Sequence, residues 1–151
     1  MAYPDEDTPL LLLVVLADRH LAQALQEHLV AAGFHDHRVV HHAVMAHVTY
    51  EGIRLTELAA RAGVTKQAMS ELVRDLVRLG YLETSPDPDD GRAKLITLTK
   101  RGRAAVDAAM SAFETMDDEL AAQLGPGVLR SLRRNLLRLL ETSLPPPSTA
   151  G

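Results

Sequence analysis

The 151 residues include no cysteine, and aromatic residues make up only 3% of them. Without cysteine the chain cannot build a disulfide framework, a thiolate metal site or a thiol redox sensor of its own. With so few rings the core must be aliphatic, and 46% hydrophobic residues are ample for one domain of this length. Long apolar runs are missing too. Leu10 to Ala17 is much shorter than the roughly 20 residues that cross a bilayer. Asp5, Glu6 and Asp7 precede it, where a signal peptide carries positive charge, so a soluble cytoplasmic protein with no membrane partner is expected. No nucleophile elbow, phosphate loop or zincin motif occurs, so neither an enzyme nor a cofactor is expected.

The net charge of -4 argues at first against a nucleic-acid partner. Its distribution reverses that reading. Between Arg54 and Arg103 ten Lys or Arg face seven Asp or Glu, and elsewhere six face thirteen. Phosphates feel the field within a Debye length of roughly 8 to 10 Å, so a locally basic segment can bind DNA inside an acidic chain.

That segment has a definite pattern. Thr56 to Ala62 is built of helix formers and stops at Gly63, which tolerates a left-handed conformation. Thr65 follows, with a hydroxyl suited to cap the next helix. In this second helix, running to about Leu79, Met69, Leu72, Val73 and Leu76 recur as one buried stripe. Lys66, Gln67, Ser70, Glu71, Arg74 and Arg78 take the other side, and Gly80 closes the helix. Two short helices around a glycine turn predict a helix-turn-helix, whose second helix enters the major groove. Leu82–Ser85 and Ala93–Leu98 have strand character around Pro86-Asp87-Pro88-Asp89-Asp90-Gly91, which predicts a hairpin with Arg92 and Lys94 near its tip. Ile53-Arg54 is a candidate third strand.

The fold class expected is therefore mainly α with a small β-hairpin wing (α+β), a winged helix-turn-helix. Thr65, Lys66, Gln67 and Ser70 are the candidates for base edges or phosphates, since Gln pairs with adenine and Lys donates to guanine. Arg74 and Arg78 lie farther along the same face and suit phosphates. Basic wing residues such as Arg92 and Lys94 suit the minor groove and the backbone.

Several of these residues, in this order, resemble the multiple antibiotic resistance regulator (MarR) family. The resemblance is carried by Leu55-Thr56-Glu57-Leu58-Ala59, Val64-Thr65-Lys66-Gln67, Leu79-Gly80-Tyr81-Leu82-Glu83, Pro86-Asp87-Pro88-Asp89-Asp90-Gly91-Arg92-Ala93 and Leu98-Thr99-Lys100-Arg101-Gly102. It implies a homodimer that binds a pseudo-palindromic double-stranded DNA operator, usually released by a small lipophilic or phenolic effector. By the same resemblance Arg92 matches the wing arginine that enters the minor groove, and Asp90 the aspartate that braces it. Two positions depart from the pattern. Members often carry Arg where this chain has Glu71, and commonly Asp-Arg where it has Arg74-Asp75, so by the resemblance Asp75 stands where the usual bracing partner of Asp90 is expected.

Around this module, residues 1–7 are polar and expected to be loose, and Thr8 to Ala32 follow a helical pattern up to Gly33. A shorter helix is expected over His37–Val48. Thr99 is placed to cap a helix over Lys100–Leu124, Gly125-Pro126-Gly127 interrupts it, and a last helix is expected from Val128 to about Ser143. The expected organisation is a single domain over 1–151: N-terminal helices at 8–48, the DNA-binding module at 53–99, C-terminal helices at 100–143 and a flexible tail at 144–151, where Pro145-Pro146-Pro147 cannot continue a helix. The terminal helices carry more aliphatic surface than the module can cover, which suits a dimerisation bundle.

Five of the seven histidines fall between His35 and His47. His37 and His41, four residues apart, can share a metal, with His42, His47 or Asp36 as further ligands. A metal-responsive regulator on the same scaffold is thus one alternative, and structural or exposed histidines another. In the family the effector lies between the dimer helices and the reader, which makes His20, His42 and Met45 candidate lining residues. An interaction module that has lost DNA binding is the remaining alternative, suggested by Glu71.

Overall fold

The computed structural model describes residues 4–88, 90 and 93–143. Along them run α1 (Leu10–Ala31), a 3₁₀ turn (Val39–His41) leading into α2 (His42–Met45), β1 (Ile53–Arg54), α3 (Leu55–Ala62), α4 (Lys66–Arg78), β2 (Leu82–Pro86), β3 (Lys94–Leu98), α5 (Lys100–Leu124) and α6 (Pro126–Leu140). This is the winged-helix architecture expected from the pattern, six helices with one small antiparallel sheet. Among the described residues no helix is long and apolar enough to cross a membrane.

The helix-turn-helix forms for the reasons its residues suggest. At Gly63 the chain turns with φ +66°, and the Val64 amide reaches back to the Ala59 carbonyl at 3.1 Å, ending α3 cleanly. The Thr65 hydroxyl then accepts from the Ala68 amide at 3.2 Å, relieving one of the free donors at the start of α4. From α4, Met69, Val73 and Leu76 are buried, whereas Leu72 is only half-buried. They pack with Val44, Ile53, Leu58, Tyr81, Leu82, Ile96, Leu98 and Ala105 into one core, aliphatic apart from Tyr81.

The sheet has the order β1-β3-β2. Leu82 pairs with Leu98 and Pro86 with Lys94, while the two residues of β1 pair with Ile96 and Leu95, so Ile53-Arg54 is indeed a third strand. A tight approach joins this sheet to α5. A Cβ on Gly102 would stand 2.0 Å from the Tyr81 carbonyl oxygen, so the helix can begin here only with glycine. The Thr99 hydroxyl caps α5, accepting from the Gly102 amide at 3.0 Å and donating to the Gly80 carbonyl at 2.6 Å.

Two compact units are distinguished, Met1–Phe113 and Glu114–Gly151. In the second, Leu129 and Met116 are buried and Arg133 forms an ion pair with Asp117.

Three expected elements differ. The helix expected over His37–Val48 is a 3₁₀ turn and a single α-turn covering only 39–45, because the His41 ring accepts from the Arg38 amide at 3.1 Å and fixes a sharp entry. The last helix starts at Pro126 rather than Val128 and ends at Leu140, since proline presets the backbone of a first helical turn. Within the segment expected to be loose, Asp5 and Thr8 close a turn through two hydrogen bonds of 2.9 and 3.0 Å. The tail at 144–151 lies outside the described residues.

Candidate nucleic-acid interface

The first turns of α4 project away from the core. Lys66, Gln67 and Arg74 are exposed and Ser70 half-buried; with Leu55 and Glu71 they line one shallow depression. Ser70 and Arg74 also line a second groove, of about 300 Å³, whose other wall is Thr84, Lys94 and Ile96 of the sheet. Helix and wing therefore present one continuous surface holding Lys66, Gln67, Ser70, Arg74 and Lys94. Thr65 stands at its edge, its hydroxyl committed to the cap. Arg92, the expected minor-groove arginine, lies outside the described residues.

The wing is anchored by a pair that sequence reading missed. Arg54 of β1 donates through Nε to Asp87 Oδ2 at 2.6 Å, and Asp87 is buried. A turn-forming aspartate gives no hint of a partner 33 residues back. Asp90, expected as a brace, accepts from the Ala93 amide through its carbonyl at 2.8 Å.

Behind α4 are two further sets of contacts. Asp75 pairs with Arg78 of its own helix, with Arg38, and with the buried His41, whose Nε2 lies 3.0 Å from Oδ2. The Arg78, His41 and Arg38 donors hold the Asp75 carboxyl down at about 2. Arg78 is thereby engaged within the protein. At the end of the helix, Tyr81 donates its hydroxyl to Asp36 Oδ1 at 2.6 Å, and Arg101 reaches the same oxygen at 2.8 Å while lying 4.4 Å over the Tyr81 ring. The Tyr81 bond, then Arg101, lowers the Asp36 pKa; burial, then Asp36, raises that of Tyr81. Tyr81 and Arg101 belong to two of the quoted motifs, which the structure joins through Asp36.

The histidines gather rather than scatter. His37 contacts the rings of His41 and His42 at centroid distances of 5.2 and 5.3 Å. Burial lowers all three pKa values, that of His37 to about 4. No group of three or more side chains among the described residues is placed to hold a metal, and both nitrogens of His41 are already engaged. The His37 and His41 rings pack edge to face. His37 and His42 instead border a cavity of about 310 Å³ whose walls include Leu25, Leu29, Met45 and Phe113. Of the three expected lining residues, His42 and Met45 face it; His20 is on the exposed side of α1.

Comparison with known proteins agrees with this geometry. A model described as MarR family matches residues 35–93, which run through α2, the helix-turn-helix and β2 and stop at the residue before β3. Over this module the chain is similar to the MarR family. In fold, it is similar to the reduced form of MarR from E. coli, with a TM-score of 0.78 and 24% identity over 90% of this chain and 99% of that one. In sequence, it is similar to an uncharacterised protein of Mycobacterium tuberculosis, 27% identical over 111 residues, 74% of this chain and 78% of that protein. It is also 34% identical over 88 residues to an HTH-type transcriptional repressor of the same species, 58% of this chain and 63% of the repressor.

Proposed function

We propose that the protein is a transcriptional repressor that binds a pseudo-palindromic double-stranded DNA operator as a homodimer and releases it when a small lipophilic or phenolic effector binds. The observation that carries the reading is the continuous surface of Lys66, Gln67, Ser70 and Arg74 on α4 with Lys94 on β3. Its helix N-terminus suits the major groove, and its basic wing the backbone. Arg92, on resemblance, completes it in the minor groove, with Thr65 at the helix start. The repressor name of a relative supports the direction of control.

Homodimerisation is supported by apolar surface left open on the terminal helices. Leu10, Leu11 and Val15 of α1 are exposed, as are Leu136, Leu137 and Leu140 of α6. The effector reading is supported by the apolar cavity beside His37 and His42, large enough for one small ring compound.

The deciding experiment is a mobility shift with the intergenic DNA upstream of the protein's own coding region, at several salt concentrations. Tight binding that exceeds binding to a random duplex, and that Arg92→Ala weakens, is the expected result. Equal binding to both duplexes would refute the DNA-reading function, and undiminished binding by Arg92→Ala the wing assignment alone.

A further inference from the structure

Asp75 lies on the recognition helix in a place where relatives commonly carry arginine, and the structure supplies its partner. His41 is fully buried at the entry to α2, 34 residues earlier in the chain. The contact at Nδ1 fixes which ring nitrogen carries the hydrogen, with Arg38 Nη2 a more distant neighbour of Nε2 at 3.4 Å. The Arg38 backbone N–H, 3.1 Å away, can only donate, so Nδ1 accepts. The ring hydrogen is then on Nε2, which donates to Asp75 Oδ2 at 3.0 Å. The groups around this bond are Asp36, His37, Arg38 and His42 on the His41 side, Asp75 and Arg78 on α4, and Tyr81 and Arg101 through Asp36.

A hydrogen bond to a carboxylate from a buried donor is among the stronger single contacts, and its geometry is directional. It ties the C-terminal part of α4 to the core side of the 3₁₀ turn, while Lys66 and Gln67 of the same helix are exposed. We propose that His41 is a positioning residue for the recognition helix, acting through Asp75. The bond holds α4 at the angle at which Lys66, Gln67 and Ser70 meet bases together. Arg38 and Arg78, the other partners of Asp75, are exposed and screened by water and reach it from the solvent side. This rests on the reading that α4 enters DNA, and the test separates the two.

Fluorescence anisotropy is measured with the upstream intergenic duplex and with a random duplex of equal length. His41→Leu and Asp75→Ala are each expected to weaken intergenic binding about tenfold, the weight of one hydrogen bond to a charged group. They should bind the random duplex no more weakly than the parent protein does. His41→Gln, whose side-chain amide can still donate to Asp75, is expected to recover most of the loss. The double variant His41→Leu with Asp75→Ala should be no weaker than Asp75→Ala alone, because that variant has already removed the His41 bond. Unchanged intergenic binding in the single variants, additive losses, or a Gln variant as weak as Leu would each overturn the proposal. If His41→Leu does not fold, Asp75→Ala, at the edge of the core, carries the test. Should the parent protein not distinguish the two duplexes, the DNA reading itself fails. Hydrogen exchange along Lys66–Arg78 in the free protein then decides the link: faster exchange in Asp75→Ala upholds it, and unchanged exchange refutes it.

Discussion

The recognition helix and the last helix are made of similar material, leucines and arginines at helical spacing, yet their apolar stripes fare differently. In α4, Met69, Val73 and Leu76 are all buried against residues of the same chain. In α6 only Leu129 is buried, and Leu140 is 83% exposed. An amphipathic pattern therefore specifies a helix with one apolar face, but not who covers that face. For α4 the sheet and α3 do so; for α6 the proposed partner subunit is the natural cover.

The same substitution in the two helices should separate these cases most sharply. Leu76→Ala empties a fully buried site and is expected to cost about 2 to 5 kcal/mol in chemical denaturation. A cost below about 1 kcal/mol would mean that the α4 stripe is no better packed than that of α6. Next comes pH, which acts on the histidine cluster behind α4. The ordinary value of a histidine ring is 6.5, and burial puts His37 at about 4 with His41 and His42 also lowered. The unfolded chain thus takes up these protons at a higher pH than the folded chain. Stability is full above pH 6.5 and is lost as the pH falls toward 4, by roughly 3 kcal/mol from His37 alone. Denaturation at pH 7.5 and pH 5 checks this, and His37→Phe should flatten the dependence.

A smaller effect contrasts the two helix starts. Thr65 caps α4 with its side chain, whereas Gly125 gives α6 no side-chain cap. Thr65→Ala should cost about 1 kcal/mol, seen as a lower thermal midpoint. Least affected is unfolding of the dilute chain on Leu140→Ala, which should stay within about 0.5 kcal/mol. Sedimentation at higher concentration is where that variant should tell, through weaker self-association.

Local chemistry made most elements readable. Thr99 and the following helix pattern predicted α5 to both of its ends, Lys100 and Leu124. The Gly63 stop, the Thr65 cap and the proline-aspartate turn likewise act within a few residues of themselves, so they show in a linear string. The segment at 37–48 misled for the opposite reason. Its residues favour a continuous helix, but a ring bond between His41 and the Arg38 amide, together with a distant carboxylate, sets the backbone there. Of the proposed site, Lys66, Gln67 and Ser70 were legible because an amphipathic helix sorts its own faces. That Lys94 joins Ser70 and Arg74 in one groove was not, since it depends on how the hairpin packs.

By itself the sequence determined the order and kind of the elements and the polar face of α4, because caps, turns and periodicity are properties of neighbouring residues. Only the tertiary structure decided what Asp75 does. Read in the chain it is an acid that displaces an expected arginine; in the fold its Oδ2 meets the one ring nitrogen of His41 that can donate. Hydrogen-bond partners 34 residues apart are chosen by packing, and packing is what a linear pattern does not contain.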